Sequence, residues 1–248
     1  MKISLSFHSY HPLSELEELG GYALKLGFSR IWLDDPPSEI DTVSVAQTLF
    51  ESFGKSVAIG ALNAQKWLSK ADWLKKLNRE MTIALAPGKK TRSFKELFDT
   101  LMKLYTTTKA LGFETLLACQ GPRLLAKSAL FDGVLLNFLN VDAVKWAQSV
   151  STNKRVLCTA PSLIYDEAGY TASDRQKLIN GARLVRNEAS SFVKNRFCGI
   201  EHYAVFCDVK SASKMLETLR IMGVEEVVLA YPQSRSKKLI RAASRLLR

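Results

Sequence analysis

The sequence predicts a single (β/α)8 barrel domain spanning residues 1–248, and three observations carry that prediction. Strand-like and helix-like segments alternate from end to end, giving eight βα units without a linker, a low-complexity stretch or a break in composition. Segments such as VLLNF and EVVLAY are near-continuous apolar runs, the pattern of parallel strands covered on both faces. No GxGxxG follows the first strand, which counts against an open dinucleotide-binding sheet.

The elements follow in order. Residues 2–7 alternate as a short strand, and a helix over 14–26 is closed by Gly27. The second strand is 30–34, and the helix after it, 42–53, is closed by Gly54. A third strand covers 56–62, and a helix is expected within 64–77 with Trp67, Trp73, Leu74 and Leu77 as its apolar face. The fourth strand, 82–86, ends in Pro87-Gly88, and Ser93 with Glu96 forms a capping box for a helix reaching residue 111. Strands five and six are 115–119 and 134–139, followed by a helix over 141–149 and a seventh strand at 155–159. Residues 171–197 are mostly helical, in one piece or two. Residues 203–207 read as a short strand or as an irregular apolar lead into the helix 211–222, which Gly223 closes. The eighth main strand is 226–230 and the last helix 236–247.

The segment 115–139, TLLACQGPRLLAKSALFDGVLLNFL, is the most informative. Pro122 falls at the first position of a short helix, where its missing N–H needs no partner. The turn Gln120-Gly121-Pro122 thereby offers backbone N–H groups and a helix dipole to an anion, at the carboxyl end of a parallel strand where α/β folds hold phosphates. The alternative is an ordinary βα turn that happens to carry Gly-Pro.

With 248 residues and 47% hydrophobic content the chain can bury one sizeable core. No apolar run approaches the about 18 residues of a membrane span, and MKISLSFHSYH lacks the features of a signal peptide. A cytoplasmic protein with no membrane association is the expectation. Cys119, Cys158, Cys198 and Cys207 form no CxxC pair and have no histidine at ligand spacing, so neither a metal site nor a disulfide framework is expected, and they read as small buried hydrophobes. The net charge of +11 is uneven: residues 234–248 carry six basic side chains and no acid, whereas residues 1–55 carry eight acids against four Lys or Arg. Because Lys237, Arg241, Arg245 and Arg248 alternate with Leu239, Ile240, Leu246 and Leu247, a docked amphipathic helix with a solvated basic face is favoured over a nucleic-acid site.

In a barrel the site lies at the carboxyl ends of the strands. Those ends are Phe7-His8, Asp34-Asp35-Pro36-Pro37, Gly60-Ala61-Leu62-Asn63, Ala86-Pro87-Gly88-Lys89, Gln120-Gly121-Pro122, Asn137 with Asn140, Thr159-Ala160-Pro161 and Tyr231-Pro232-Gln233. The rim is polar and rich in Gly and Pro, without a Ser-His-Asp or Cys-His set. His8 and His11 are placed to shuttle a proton or to do nothing special. Lys89, Lys90 and Arg92 read as partners for a phosphate or acidic tail, or as a solvated basic loop.

These residues carry a resemblance. LGFSRIWLDD resembles the GF-x-x-x-W-x-x-D second strand of the bacterial luciferase-like flavin monooxygenases and the related deazaflavin-dependent reductases. SVAIGALNA resembles their third strand, ACQGPRLLAKSALFDGVLLN their GAQGP…DGvLLN segment, and MGVEEVVLAYPQ their closing strand. The similarity spans most of the chain and is nearest the methylenetetrahydromethanopterin reductase branch. It implies a (β/α)8 barrel binding FMN or coenzyme F-420 in its mouth, a small-molecule substrate and a homodimer. The backbone from Ala118 through Cys119, Gln120 and Gly121 to Pro122 would meet the phosphate end. Gly60, Ala61 and Leu62 would lie against the ring at a strained peptide, and Asn63 and Asn137 join the cofactor-binding set. Asp34 matches the family's acidic residue, where a buried carboxylate with a raised pKa acts as acid or base beside hydride transfer; a loop-capping or N-cap role is the other reading. The chain departs from the family in three ways. Asp34-Asp35 stands where many deazaflavin-dependent relatives have Asp-His, the third-strand turn is shorter, and the insertion after the seventh strand is reduced to residues 162–202. The expected activity is therefore a flavin- or deazaflavin-dependent oxidoreductase with His8 and Asp34 as catalytic residues; the alternative is a shortened non-catalytic relative that binds a flavin or another phosphorylated ligand.

Overall fold

The computed structural model describes residues 1–35, 41–88 and 93–247. Eight parallel strands close on one another: β1 (Lys2–His8), β2 (Ile31–Asp34), β3 (Val57–Asn63), β4 (Thr82–Ala86), β5 (Glu114–Cys119), β6 (Gly133–Leu136) and β7 (Val156–Tyr165) run in sequence order. A short extra strand, β8 (Val205–Asp208), intervenes in the chain before β9 (Val224–Ala230), which pairs with both β7 and β1 and seals the barrel. Around it lie α1 (Leu13–Lys25), α2 (Thr42–Phe53), α3 (Ala64–Trp67), α4 (Phe94–Ala110), α5 (Pro122–Leu125), α6 (Val141–Val150), α7 (Ala172–Glu188), α8 (Ser191–Arg196), α9 (Val209–Ile221) and α10 (Lys237–Ser244).

The strand pattern explains both cores. Alternate residues such as Ile3, Leu5, Ile31, Leu33, Val227 and Leu229 face outward and pack under the helices. The residues between them, Trp32, Ala58, Ala84, Leu116, Leu135, Leu157 and Val228, fill the barrel interior as a separate cluster. Below that layer the floor is polar: Glu226, fully buried, accepts from Ser4 Oγ (2.7 Å) and Trp32 Nε1 (2.9 Å), with Arg30 Nε 3.8 Å away. Arg155 closes the same end by reaching Glu225 (2.9 Å) and Glu114 (2.5 Å). A buried carboxylate needs such donors to offset its lost hydration.

Four expectations need correction. The helix expected within 64–77 is one α turn followed by 3-10 turns over Leu68–Lys76. Its inward residues Leu68, Ala71, Leu74 and Leu77 recur every third position, which is the 3-10 period rather than the α one. Trp73 consequently lies outside, 36% exposed, between Lys70 and Lys76 at 5.3 and 5.2 Å from its ring. Strand six ends at Leu136, although Phe138 and Leu139 are buried. Strand seven continues through Pro161 to Tyr165, because its far half pairs with β8 along Ser162–Tyr165. Residues 203–207 thus contribute a true strand, outside the barrel. Cys198 is exposed and Cys207 half-buried, so only Cys119 and Cys158 are the buried hydrophobes expected of all four; burial pushes both thiols well up, and that of Cys207 to about 11.

Two further expectations, the capping box and the docked basic helix, hold. Ser93 and Glu96 form the capping box of α4. The basic α10 docks by Leu239, Ile240, Ala242 and Ala243, while Lys237 reaches Glu18 (2.6 Å) and Arg245 reaches Asp166 (3.2 Å). No helix among the described residues is long and apolar enough to cross a membrane, and no cluster of His, Cys, Asp and Glu there could hold a metal ion. Pro36, Pro37, Lys89, Lys90 and Arg92 lie outside the described residues.

Candidate active site at the barrel mouth

One step along each strand from the interior cluster lies a ring of half-buried residues that face the open carboxyl end. Going round the barrel, β1 and β2 contribute His8 and Asp34, and β3, β4 and β5 contribute Gly60, Ala86 and Ala118. Asn137, just past β6, and Thr159 on β7 follow, and Ala230 on β9 completes the circle. Two polar arcs, His8 with Asp34 and Asn137 with Thr159, are therefore separated on one side by three adjacent residues, Gly60, Ala86 and Ala118, that carry nothing larger than a methyl group.

His8 and Asp34 are register partners on β1 and β2. His8 Nδ1 meets Asp34 Oδ2, and the backbone N–H of Ser9 donates to Asp34 Oδ1 at 3.1 Å. The Asp34 side chain is 31% exposed rather than buried as expected, and it faces the mouth. It is no N-cap, since Asp41 accepts from Ser44 N at the start of α2. An ionised Asp34 accepts from Nδ1–H, the tautomer that leaves the lone pair on His8 Nε2.

Aromatic rings surround His8. Tyr10 stacks on it with centroids 4.8 Å apart, Tyr231 lies tilted at 4.4 Å, and His11 lies parallel at 6.0 Å. His11 also pairs with Glu15 (3.3 Å). Burial, with the nearby Tyr231 and Asp34 charges, raises the Tyr10 phenol above its ordinary value, so it remains a neutral donor at physiological pH. Tyr10 was missed in the sequence, although the Ser-Tyr-His run directly after a strand end is the signal that would have flagged it.

Asp35 has a different task. Its side chain is fully buried and receives Lys66 Nζ (2.7 Å), Trp67 Nε1 (2.7 Å) and Thr42 Oγ1 (3.3 Å). It ties the end of β2 to α2 and α3 and has no acceptor capacity directed at the mouth. Asn63 caps α3 through Oδ1, which accepts from Gln65 N (2.9 Å) and Lys66 N (3.3 Å).

The third strand bends at the rim. A register shift between Ile59 and Leu62 brings Ala61 as well as Gly60 to the inner side, and the Gly60–Ala61 peptide is cis. A Cβ on Gly60 would stand 2.9 Å from the Trp32 ring and 3.0 Å from Ala84 Cβ, so only glycine fits. Leu62 and Cys119 point outward into the helix-facing core, so a molecule in the mouth would meet their backbone alone. At the β5–α5 turn, Gly121 is the N-cap and Pro122 the first helical residue, as the sequence indicates. Gln120 Oε1 is buried and has no hydrogen-bond partner among the described residues. An ideal Cβ on Gly121 would find Ser190 Oγ at 3.9 Å, so the α7–α8 junction hangs over this turn.

The fold these features share is that of (β/α)8 barrel proteins of several chemistries. No family model and no curated protein matches the chain. Among solved structures it is similar to coenzyme F-420-dependent tetrahydromethanopterin reductase from Methanopyrus kandleri, with a TM-score of 0.65 and 14% identity over 96% of each chain. It is also similar to a monooxygenase from Streptomyces bottropensis, with a TM-score of 0.67 and 12% identity over 100% of this chain and 98% of the other. A tryptophan synthase complex from Pyrococcus furiosus matches with a TM-score of 0.56 and 10% identity over 99% and 97%. At these identities the likeness establishes the barrel fold.

Proposed function

We propose that the chain is a flavin- or deazaflavin-dependent oxidoreductase of the luciferase-like group, holding FMN or coenzyme F-420 in the barrel mouth. The observation that carries this reading is the arc of small residues, Gly60, Ala86 and Ala118, beside the His8–Asp34 pair. A planar ring needs such a slot, and a proton carrier at its edge completes the requirement for redox chemistry coupled to proton transfer. The fold likeness to an F-420-dependent reductase and a monooxygenase supports the same group.

The residues present fit the group. Gln120 Oε1, buried and without a partner among the described residues, is an acceptor that a ligand N–H or hydroxyl would satisfy. Gly60, Ala61 and the Leu62 backbone would lie against the ring, with Asn63 and Asn137 at its margins. The segment from Ala118 through Cys119, Gln120 and Gly121 to Pro122 would face its phosphate end. When bound, the ring supplies hydride transfer. His8 holds or releases a proton at Nε2, Asp34 fixes the imidazole through Nδ1, and the rings of Tyr10 and Tyr231 flank the imidazole.

Titration with FMN and with coenzyme F-420, read by absorbance and fluorescence, tests the reading. Saturable binding of one of them, weakened by Gly121→Leu, is the expected result. Failure of both to bind overturns the cofactor assignment.

A further inference from the structure

Helix α7 is clamped onto one side of the mouth. At Gly181 an ideal Cβ would stand 3.2 Å from Pro161 Cβ and Cγ and 4.0 Å from the Tyr231 carbonyl oxygen, so the helix rests directly on the last residue that β7 pairs with β9 and on the residue that follows β9. Four residues earlier, on the same helix face, Lys177 places Nζ 5.8 Å from the centre of the Tyr231 ring. That ring in turn lies 4.4 Å from His8. Lys177 is thus one aromatic ring away from the His8–Asp34 pair.

On the same helix, Asp174 is already bound by Arg235 (2.6 Å), and Arg175 lies over the Phe206 ring (5.7 Å). Lys177 is half-buried, and among the described residues it pairs with no carboxylate. The surrounding segment, residues 171–197, carries six Lys or Arg against two Asp or Glu, so the field over this side of the mouth is positive. The β5–α5 turn assigned to the cofactor phosphate is separated from β9 by β6 and β7.

We propose that Lys177 anchors an anionic group of the substrate, a carboxylate or a phosphate, and orients the substrate against Tyr231 and His8. The assignment rests on the oxidoreductase reading. The reaction would then take acidic small molecules in preference to their neutral analogues, because a partly desolvated lysine gains most from a charged acceptor. Lys177 selects and positions; it takes no part in proton or hydride movement.

Calorimetric titration with naphthalene-2-carboxylate and its neutral carboxamide, on the chain alone and on the chain mixed with FMN, tests the assignment. The wild-type protein should bind the carboxylate about tenfold more tightly. Lys177→Gln should abolish that preference and Lys177→Arg should keep it, with FMN and riboflavin affinities equal to wild type in both variants. Absence of a carboxylate preference in the wild type overturns the proposal, as does its survival in Lys177→Gln. A loss of FMN affinity in Lys177→Gln with riboflavin unaffected also overturns it, by giving the cation to the cofactor phosphate. Failure of the wild type to bind FMN or coenzyme F-420 is a separate result. It counts against the oxidoreductase reading, while the comparison on the chain alone still decides the role of Lys177.

Discussion

His8 and Asp34 stand opposite each other in the β1–β2 register, and their side chains meet at the open end of the barrel. Neighbouring parallel strands bring same-side residues together whenever the register pairs them, so the contact is built into the sheet. Replacing the carboxylate by an amide preserves the size of Asp34 while removing its charge; with Ser9 N–H holding the amide oxygen, the amide NH2 turns toward His8 Nδ1 and favours the opposite imidazole tautomer. In steady-state assays Asp34→Asn should lower turnover by roughly 10²- to 10⁴-fold, with cofactor affinity nearly unchanged. Full turnover in that variant would remove the pair from the mechanism.

Gly60 faces Trp32 and Ala84 too closely for any side chain. Gly60→Ala should push the Trp32 indole, and with it the bond from Trp32 Nε1 to Glu226, at a cost of about 1–3 kcal/mol. Denaturant unfolding checks this, and an unaltered midpoint would mean the indole can yield freely.

Asp35 binds Lys66, Trp67 and Thr42 with a side chain fully removed from water. Asp35→Ala strands the Trp67 indole N–H and takes the carboxylate away from Lys66 and Thr42, and a loss of about 3 kcal/mol is expected from breaking such a buried network. The free energy of unfolding in urea measures it. A loss comparable to that of an exposed ion pair would show that Asp35 does not hold the end of β2 in place.

The floor of the barrel sets a response to acid. Hydrogen bonds from Arg155 hold the Glu225 carboxyl below its ordinary value of 4.5. Burial alone would raise that of Glu114, but hydrogen bonds from Thr82 and Arg155 outweigh it and hold this carboxyl low too. Each carboxyl therefore binds a proton less readily folded than unfolded. Their contribution is complete above the unfolded value of 4.5 and is lost as pH falls toward the depressed folded values. Arg155→Met should lower stability at neutral pH and flatten its decline below about pH 4.5, as followed by urea melts at several pH values. An unchanged slope would place the acid response elsewhere.

Much of this was legible in the sequence because the signals were local. Apolar runs such as VLLNF and EVVLAY mark strands covered on both faces, and Ser93 with Glu96 announces a helix start. What escaped depends on tertiary context. Pro161 reads as the end of a strand, yet its missing N–H does no harm where β7 leaves β9 and takes up β8. Trp73 looks like a core residue at α spacing and is expelled by a three-residue winding. The site divides similarly. The strand ends name His8, Asp34 and Gly60 directly and Ala118 enters through the resemblance, whereas the opposite fates of Asp34 and Asp35 follow from strand alternation and the position of Trp67. Lys177 lies far from the mouth in sequence and is brought to it by the close seating of Gly181.

The central claim is that the arc of small residues is a slot for a flavin-type ring, and filling the slot tests it most directly. Ala118 faces the mouth half-exposed, so Ala118→Leu should fold normally and intrude on the ring. Titrated in parallel with FMN and coenzyme F-420, the wild type should bind one of them saturably, and Ala118→Leu should bind it at least about tenfold more weakly at an unchanged melting temperature. Equal affinity in the two proteins would place the ring outside the mouth and contradict the account.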